Sequence, residues 1–241
     1  GTAVQIAETV RHHHHSLKSR NRLTVVLNDN GRSRVEPEKL KVERVEAAVE
    51  KIAQALPDHI RFVFSSGEAE RVAQEWIHLS MPPASSSDSA KRLFVIDPTG
   101  YTQFDVRAVR WLLQHEGTEV FLFLPLPEMY RFVSAGGSDH PLRQIMEWLW
   151  RGSPPEFSDQ QDFRLQLIGR LRGRFGVDVY TTPIDLAKTV TDHYVLVHAT
   201  RNLLGLERMV DGKWKMDPAG GQGFVPDVGQ TDMFNSPTGV S

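Results

Sequence analysis

An apolar run from Leu93 to Ile96 stops on Asp97-Pro98-Thr99-Gly100-Tyr101: an acid, a proline, a hydroxyl, a glycine and an aromatic ring in direct succession. In an open α/β sheet, ligands collect beyond the carboxyl ends of the strands, and an acid followed by proline is held stiffly there. Such a carboxylate can accept hydrogen bonds from a substrate while Tyr101 lies across a flat ring. The same residues also suit a plain strand-to-helix turn, because Asp caps the helix expected to begin near Phe104.

Two further clusters follow apolar runs. Asn28-Asp29-Asn30-Gly31 comes after Leu23 to Leu27, and Ser66-Gly67-Glu68 comes after Ile60 to Phe64. Each has turn-forming or helix-capping chemistry as its simpler explanation. His198 and Arg201 follow the run Tyr194 to Val197; they can hold a phosphate or carboxylate, or tie a strand end to a neighbouring loop. Trp214, between Lys213 and Lys215, can stack a base or pack on the core. The consecutive His12 to His15 point around most of a helix, so at most two could face one ion and no metal site is expected. Phosphate-loop, nucleophile-elbow and zinc-protease motifs are missing from the sequence.

The elements that must position these residues alternate. Strands are expected over Leu23–Leu27, Ile60–Phe64, Leu93–Ile96 and Val120–Leu124, with helical stripes over Pro37–Leu56, Glu68–Leu79 and Phe104–His115. A helix is expected over Gly1–Val10. After Pro125 the pattern breaks into short helices at Glu128–Val133 and Leu142–Trp150, then a longer one at Phe163–Phe175. Val177–Thr182 and Tyr194–Val197 are joined by about ten residues, too few for a helical crossover, which predicts an antiparallel pair. Strand-helix alternation predicts an α/β fold with a mostly parallel sheet ending in an antiparallel hairpin. Residues 1–219 form the expected domain, with a helical insertion over 125–158, and the Gly- and Pro-rich 220–241 is read as an irregular tail.

Composition limits the options. The chain has 241 residues, 40% hydrophobic and 24% charged, with a net charge of -2, so no global field draws it to nucleic acid or an anionic membrane. It has no cysteine, which excludes disulfides, thiolate metal sites and a cysteine nucleophile. No run approaches the roughly 18 apolar residues that a membrane helix needs. A cytoplasmic location and no membrane partner are expected; the oligomeric state is left open.

Three segments taken in order, Ile96 to Tyr101, Tyr194 to Arg201 and Gly205 to Met216, resemble the three-Cys-motif partner proteins, a class I methyltransferase-like family of bacteria and phages. The resemblance runs from about Gly1 to Gly221. It implies a Rossmann-like methyltransferase sheet whose central first strand carries a glycine-rich loop. This chain lacks that Asp-Gly-Phe-Ala-Gly-Pro-Gly type segment, and Thr99 stands where family members tend to have Phe. A parallel sheet without its central strand leaves rows of backbone groups unpaired, so a strand upstream of Gly1 or outside the chain is expected.

The resemblance further implies S-adenosylmethionine as cofactor, a radical-SAM-like three-Cys-motif protein as partner, and nucleic acid as a possible substrate. Asp29, with Asn28 as the alternative, would accept the ribose hydroxyls, and Ser66, Gly67 and Glu68 would border the adenine. Asp97, Pro98 and Tyr101 would receive the target amine and its base; Thr99, His198 and Arg201 would contact substrate. A catalytically inactive module that docks a partner is the competing expectation, drawn from the insertion and its Phe132, Met146, Trp148 and Trp150.

Overall fold

The computed structural model describes residues 2–16, 22–29, 31, 40–80, 90–96, 106–134, 141–187, 193–216 and 223–224. They form a mixed α/β chain that divides into two compact units, Gly1–Leu79 and Ser80–Ser241. Among the described residues no helix is long and apolar enough to cross a membrane.

The first unit holds helix α1 (Thr2–His13), strand β1 (Leu23–Asn28), helix α2 (Lys41–Ala53), strand β2 (Ile60–Ser65) and helix α3 (Ala69–Leu79). β1 and β2 pair in parallel, Leu23 opposite Ile60 and Asn28 opposite Ser65. A parallel pair needs a crossover, and α2 supplies it. Glu43 closes the start of α2 by accepting the Leu40 N–H at 3.0 Å, as a side chain in the first turn can. Val42 and Val49 turn inward from α2, and Val72, Ala73 and Ile77 from α3. Val42 and Val49 stand seven residues, or two turns, apart, and Ile77 lies about one turn beyond Val72 and Ala73, so each set marks one buried helical face.

The second unit holds β3 (Arg92–Ile96), α4 (Val106–Leu113), β4 (Thr118–Pro125), α5 (Leu126–Ser134), α6 (Pro141–Trp150), α7 (Gln160–Phe175), β5 (Tyr180–Ala187), β6 (His193–Thr200), α8 (Leu203–Met216) and the short β7 (Gly223–Phe224). Its sheet runs β3-β4-β6-β5-β7. β3 is parallel to β4, whereas β6 lies antiparallel to both β4 and β5. The expected hairpin is therefore present, and its second strand enters the sheet between β4 and β5.

Period-two alternation explains how this sheet is covered. Val120, Leu122 and Leu124 share a face with Val195, Val197 and Ala199, and all are buried. Helices α4, α5 and α7 pack on the sheet, while α8 lies against β5 and β6. α7 turns Phe163, Leu167, Leu171 and Phe175 inward at four-residue spacing, all buried. It starts at Asp159, whose carboxylate accepts the Asp162 N–H at 2.8 Å. Arg174 ties α7 to the insertion by donating to the carbonyls of Trp148 and Leu149, and its guanidinium lies 5.1 Å from the Trp148 ring.

The insertion helices appear as expected, but Met146 and Trp150 are buried in this packing. They build the core rather than an open face. One strand sits elsewhere than its apolar run suggested. Val177 is fully exposed in a turn, and β5 begins at Tyr180 and continues through Pro183 and Asp185, drawn into place by its register with β6.

Candidate functional site

The first unit's two strands finish level. Asn28 and Ser65 are cross-strand partners, and the Asp29 N–H extends the ladder one step by donating to the Ser65 carbonyl at 3.0 Å. Asn28, Asp29, Ser66, Gly67 and Glu68 therefore all emerge at the carboxyl ends of adjacent parallel strands, where α/β sheets receive ligands.

Hydrogen bonds hold the two loops together. Asn28 Nδ2 donates to the Gly67 carbonyl at 3.1 Å, a direct link across the strand ends. The Gly67 N–H donates to Ser65 Oγ at 3.3 Å. A Cβ at position 67 would sit 2.8 Å from Val72 Cγ2, so only glycine lets the loop press so closely onto α3. Glu68 then opens α3, its carbonyl accepting the Val72 N–H at 3.0 Å.

Asp29 is half committed. Oδ1 accepts the Gly31 N–H at 2.7 Å, and Oδ2 lies 3.7 Å from Lys41 Nζ. The Gly31 carbonyl accepts the Lys41 N–H at 2.8 Å, which seats the lysine at the head of α2. An ionised carboxylate offers about four acceptor positions. Lone pairs thus remain on Asp29 for an incoming hydroxyl, and Ser66 and Glu68 beside it are exposed.

Asp97, Pro98, Thr99 and Tyr101 lie outside the described residues. β3 is described as far as Ile96, which stands opposite Leu122 of β4. His198 is 1% exposed in β6, and its Nε2 lies 2.9 Å from Glu119 Oε2 on β4. Arg201 leaves the end of β6 and reaches two turns: Nε pairs with Asp178 at 2.6 Å, and Nη1 donates to the Gln114 carbonyl at 3.4 Å. Its contacts are those of a residue that ties a strand end to neighbouring loops. Trp214 is 52% exposed on α8, and Lys213 beside it donates to the Pro183 carbonyl at 2.7 Å.

Two polar pairs went unnoticed in the sequence. Glu119 is the acid that receives His198, and the only local signal was an acid placed at the mouth of an apolar strand. Arg164 of α7 grips Asp185 of β5 through both carboxylate oxygens, with each side chain under one-fifth exposed. Burial pushes the Lys213 ammonium below its ordinary value; Asp185 opposes that shift and Arg164 reinforces it. Comparison of the chain with protein-family models and with curated proteins finds no match.

Proposed function

We propose that this chain is a methyltransferase-like α/β protein that holds S-adenosylmethionine at the ends of β1 and β2 and serves methyl transfer to a nucleic-acid acceptor, beside a radical-SAM-like three-Cys-motif partner. The observation that carries this reading is the level finish of two parallel strands on Asn28-Asp29 and Ser65 to Glu68, laced by the bond from Asn28 to Gly67.

Strand order supports it. The Rossmann type of doubly wound sheet begins with strands in the order 3-2-1-4-5. β1 beside β2 has the pairing of the second and third strands of that order, and β3 beside β4 has that of the fourth and fifth. β6, reversed against both its neighbours, matches the terminal hairpin of the methyltransferase sheet.

The donor set fits a nucleoside. Asp29 has lone pairs left for ribose hydroxyls after serving Gly31, and Ser66 and Gly67 offer backbone and a small side chain against a flat base. When bound, the cofactor supplies a methyl group on a sulfonium, which is already a good leaving group. The protein's contribution is then chiefly to hold partners in line, so few acid or base residues are required. Asn28 fixes the Gly67 loop, and Lys41 steadies Asp29 through Oδ2, the oxygen that does not accept the Gly31 N–H. In this reading Asp97 with Pro98 and Tyr101 receives the acceptor and Thr99 shapes its pocket.

Calorimetric titration of the whole chain with S-adenosylmethionine tests the proposal. Saturable heat is expected, with Asp29→Ala weakening it about tenfold or more through the lost charged hydrogen bonds. No heat at millimolar cofactor would leave only the docking-module reading.

A further inference from the structure

Three helices of the second unit bring charge of one sign together. From Phe163 to Phe175, α7 carries Arg164, Arg170, Arg172 and Arg174 and no acid, and α4 carries Arg107 and Arg110 and no acid. α6 has Glu147 alone, and Arg143 engages it at 2.8 Å. Both α4 and α6 pack against α7, so a chain with a net charge of -2 gathers a basic surface where they meet.

Arg174 is the anchor of this surface. Its guanidinium donates to the carbonyls of Trp148 and Leu149 in the last turn of α6 and lies 5.1 Å from the Trp148 ring. Arg151 comes two residues after Leu149, Arg170 stands one turn before Arg174 on α7, and Arg110 belongs to the last turn of α4. Burial lowers the Arg174 pKa, and the charges of Arg151, Arg170 and Arg110 lower it further, which puts all three within electrostatic reach. Like charges placed so closely repel, and a ligand of opposite charge relieves them.

Only Arg174 has a task within the fold. Arg110, Arg151 and Arg170 are exposed and make no hydrogen bond or ion pair among the described residues. A guanidinium keeps its proton throughout the working pH range, so these donors and their charge are always present. Gly169 and Gly173, each directly before one of the α7 arginines, are exposed as well, and a Cβ on either would meet nothing within 4 Å. Packing does not demand these glycines, and each weakens the helix; what they do provide is bare backbone that a bulky partner can approach.

The surroundings narrow the partner's chemistry. Among the described residues no large apolar side chain is exposed on α4 or α6, and Leu165, the one on α7, projects about half a turn away from Arg170 and Arg174. Membrane-surface helices and protein interfaces both need an apolar contact face. Contact through charge and forked guanidinium donors alone is the pattern of phosphate-backbone recognition.

From these observations we infer that Arg110, Arg151, Arg170 and Arg174 form a surface that binds the phosphate backbone of nucleic acid without reading its bases. The inference deepens the proposed function and rests on it for the class of acceptor, but the cofactor plays no part in it.

The test is fluorescence anisotropy of the whole chain, without S-adenosylmethionine, against a labelled mixed-sequence DNA duplex and a labelled single-stranded RNA. Binding in the range of about 1–100 μM is expected, with log affinity for the duplex falling against log salt at a slope of about -3 for three free arginines. Arg110→Gln, Arg151→Gln and Arg170→Gln should each weaken binding about fivefold or more and flatten the slope by about one. Lys51→Gln and Arg208→Gln, which remove equal charge from exposed positions of α2 and α8, should change affinity less than about twofold. A chain that binds either probe this way yet gives no heat with the cofactor keeps this inference and loses the cofactor reading; one that takes the cofactor but neither probe loses only this inference. Equal losses in the α2 and α8 variants, an affinity indifferent to salt, or binding to polyglutamate or to anionic vesicles as tight as to either nucleic acid would also overturn it.

Discussion

The β1–β2 pair and the β4–β6 pair are built from similar apolar runs, yet they are packed very differently. β4 alternates buried and half-buried residues along its length, and its buried face meets the buried face of β6. β1 has no buried residue at all; its positions are half-buried until the exposed Asn28. Parallel strands with continuous apolar runs are normally covered on both faces and paired on both edges. Among the described residues β1 has one strand neighbour, and two-stranded sheets are marginal. The half of the molecule that carries the candidate cofactor residues is thus the more loosely packed half. Ligand-holding regions are commonly drawn from the low-stability end of a structure.

The largest effect that would test this contrast is Phe163→Ala. Phe163 is 0% exposed and lies within ring-contact distance of Tyr130, Trp150 and Phe157. Its truncation should lower the stability of the second unit by about 3–5 kcal/mol in a denaturant melt. A loss below about 1 kcal/mol would mean that this core is as loose as the first unit.

Hydrogen exchange sharpens the comparison directly. Amides of β1 and β2 should open at lower free energy than those of β4 and β6. Saturating S-adenosylmethionine at about a hundredfold over its dissociation constant should raise protection of β1 and β2 by up to about 2.7 kcal/mol. Protection gained only in β4 and β6 would place the cofactor on the wrong unit.

A smaller change is expected at the head of α7. Asp159→Ala removes the acceptor for the Asp162 N–H and should cost about 1 kcal/mol, whereas Asp159→Asn should retain most of it. Circular dichroism melts of the two variants distinguish a cap from a solvated surface acid.

The smallest signal is in the pH dependence. Burial holds the Lys213 pKa below its unfolded value, so the cost of keeping the ammonium charged is fully present at pH values below the folded pKa. As pH climbs from there toward the ordinary lysine value of about 10.4, the unfolded state binds more protons, and unfolding free energy should rise. Lys213→Met should flatten that rise. Replacing Asp185 with Asn removes the charge that opposes the shift and should start the rise at lower pH.

Much of the architecture was legible because it rests on local signals. Apolar runs closed by Asn28-Asp29 and by Ser66-Gly67-Glu68 ended as strands at those residues, since turn and cap chemistry is written within a few neighbouring positions. The short link between β5 and β6 forced an antiparallel return for the same local reason. The helical stripe of α7 followed from its spacing alone.

Other features came only with the folded chain. Nothing near Val177 reveals that the strand starts later and runs through Pro183, because its limits are set by register against β6. The insertion of β6 between β4 and β5, and the level finish of β1 with β2, depend on pairings between distant segments. Glu119 and His198 are 79 residues apart, and Arg164 and Asp185 are 21 apart; neither pair shares a helical turn or a hairpin. Residue types and near-neighbour spacing decided which segments became helices and strands. Which side chains met was decided by long-range packing, where register and burial select a handful of contacts from the many that the sequence alone permits.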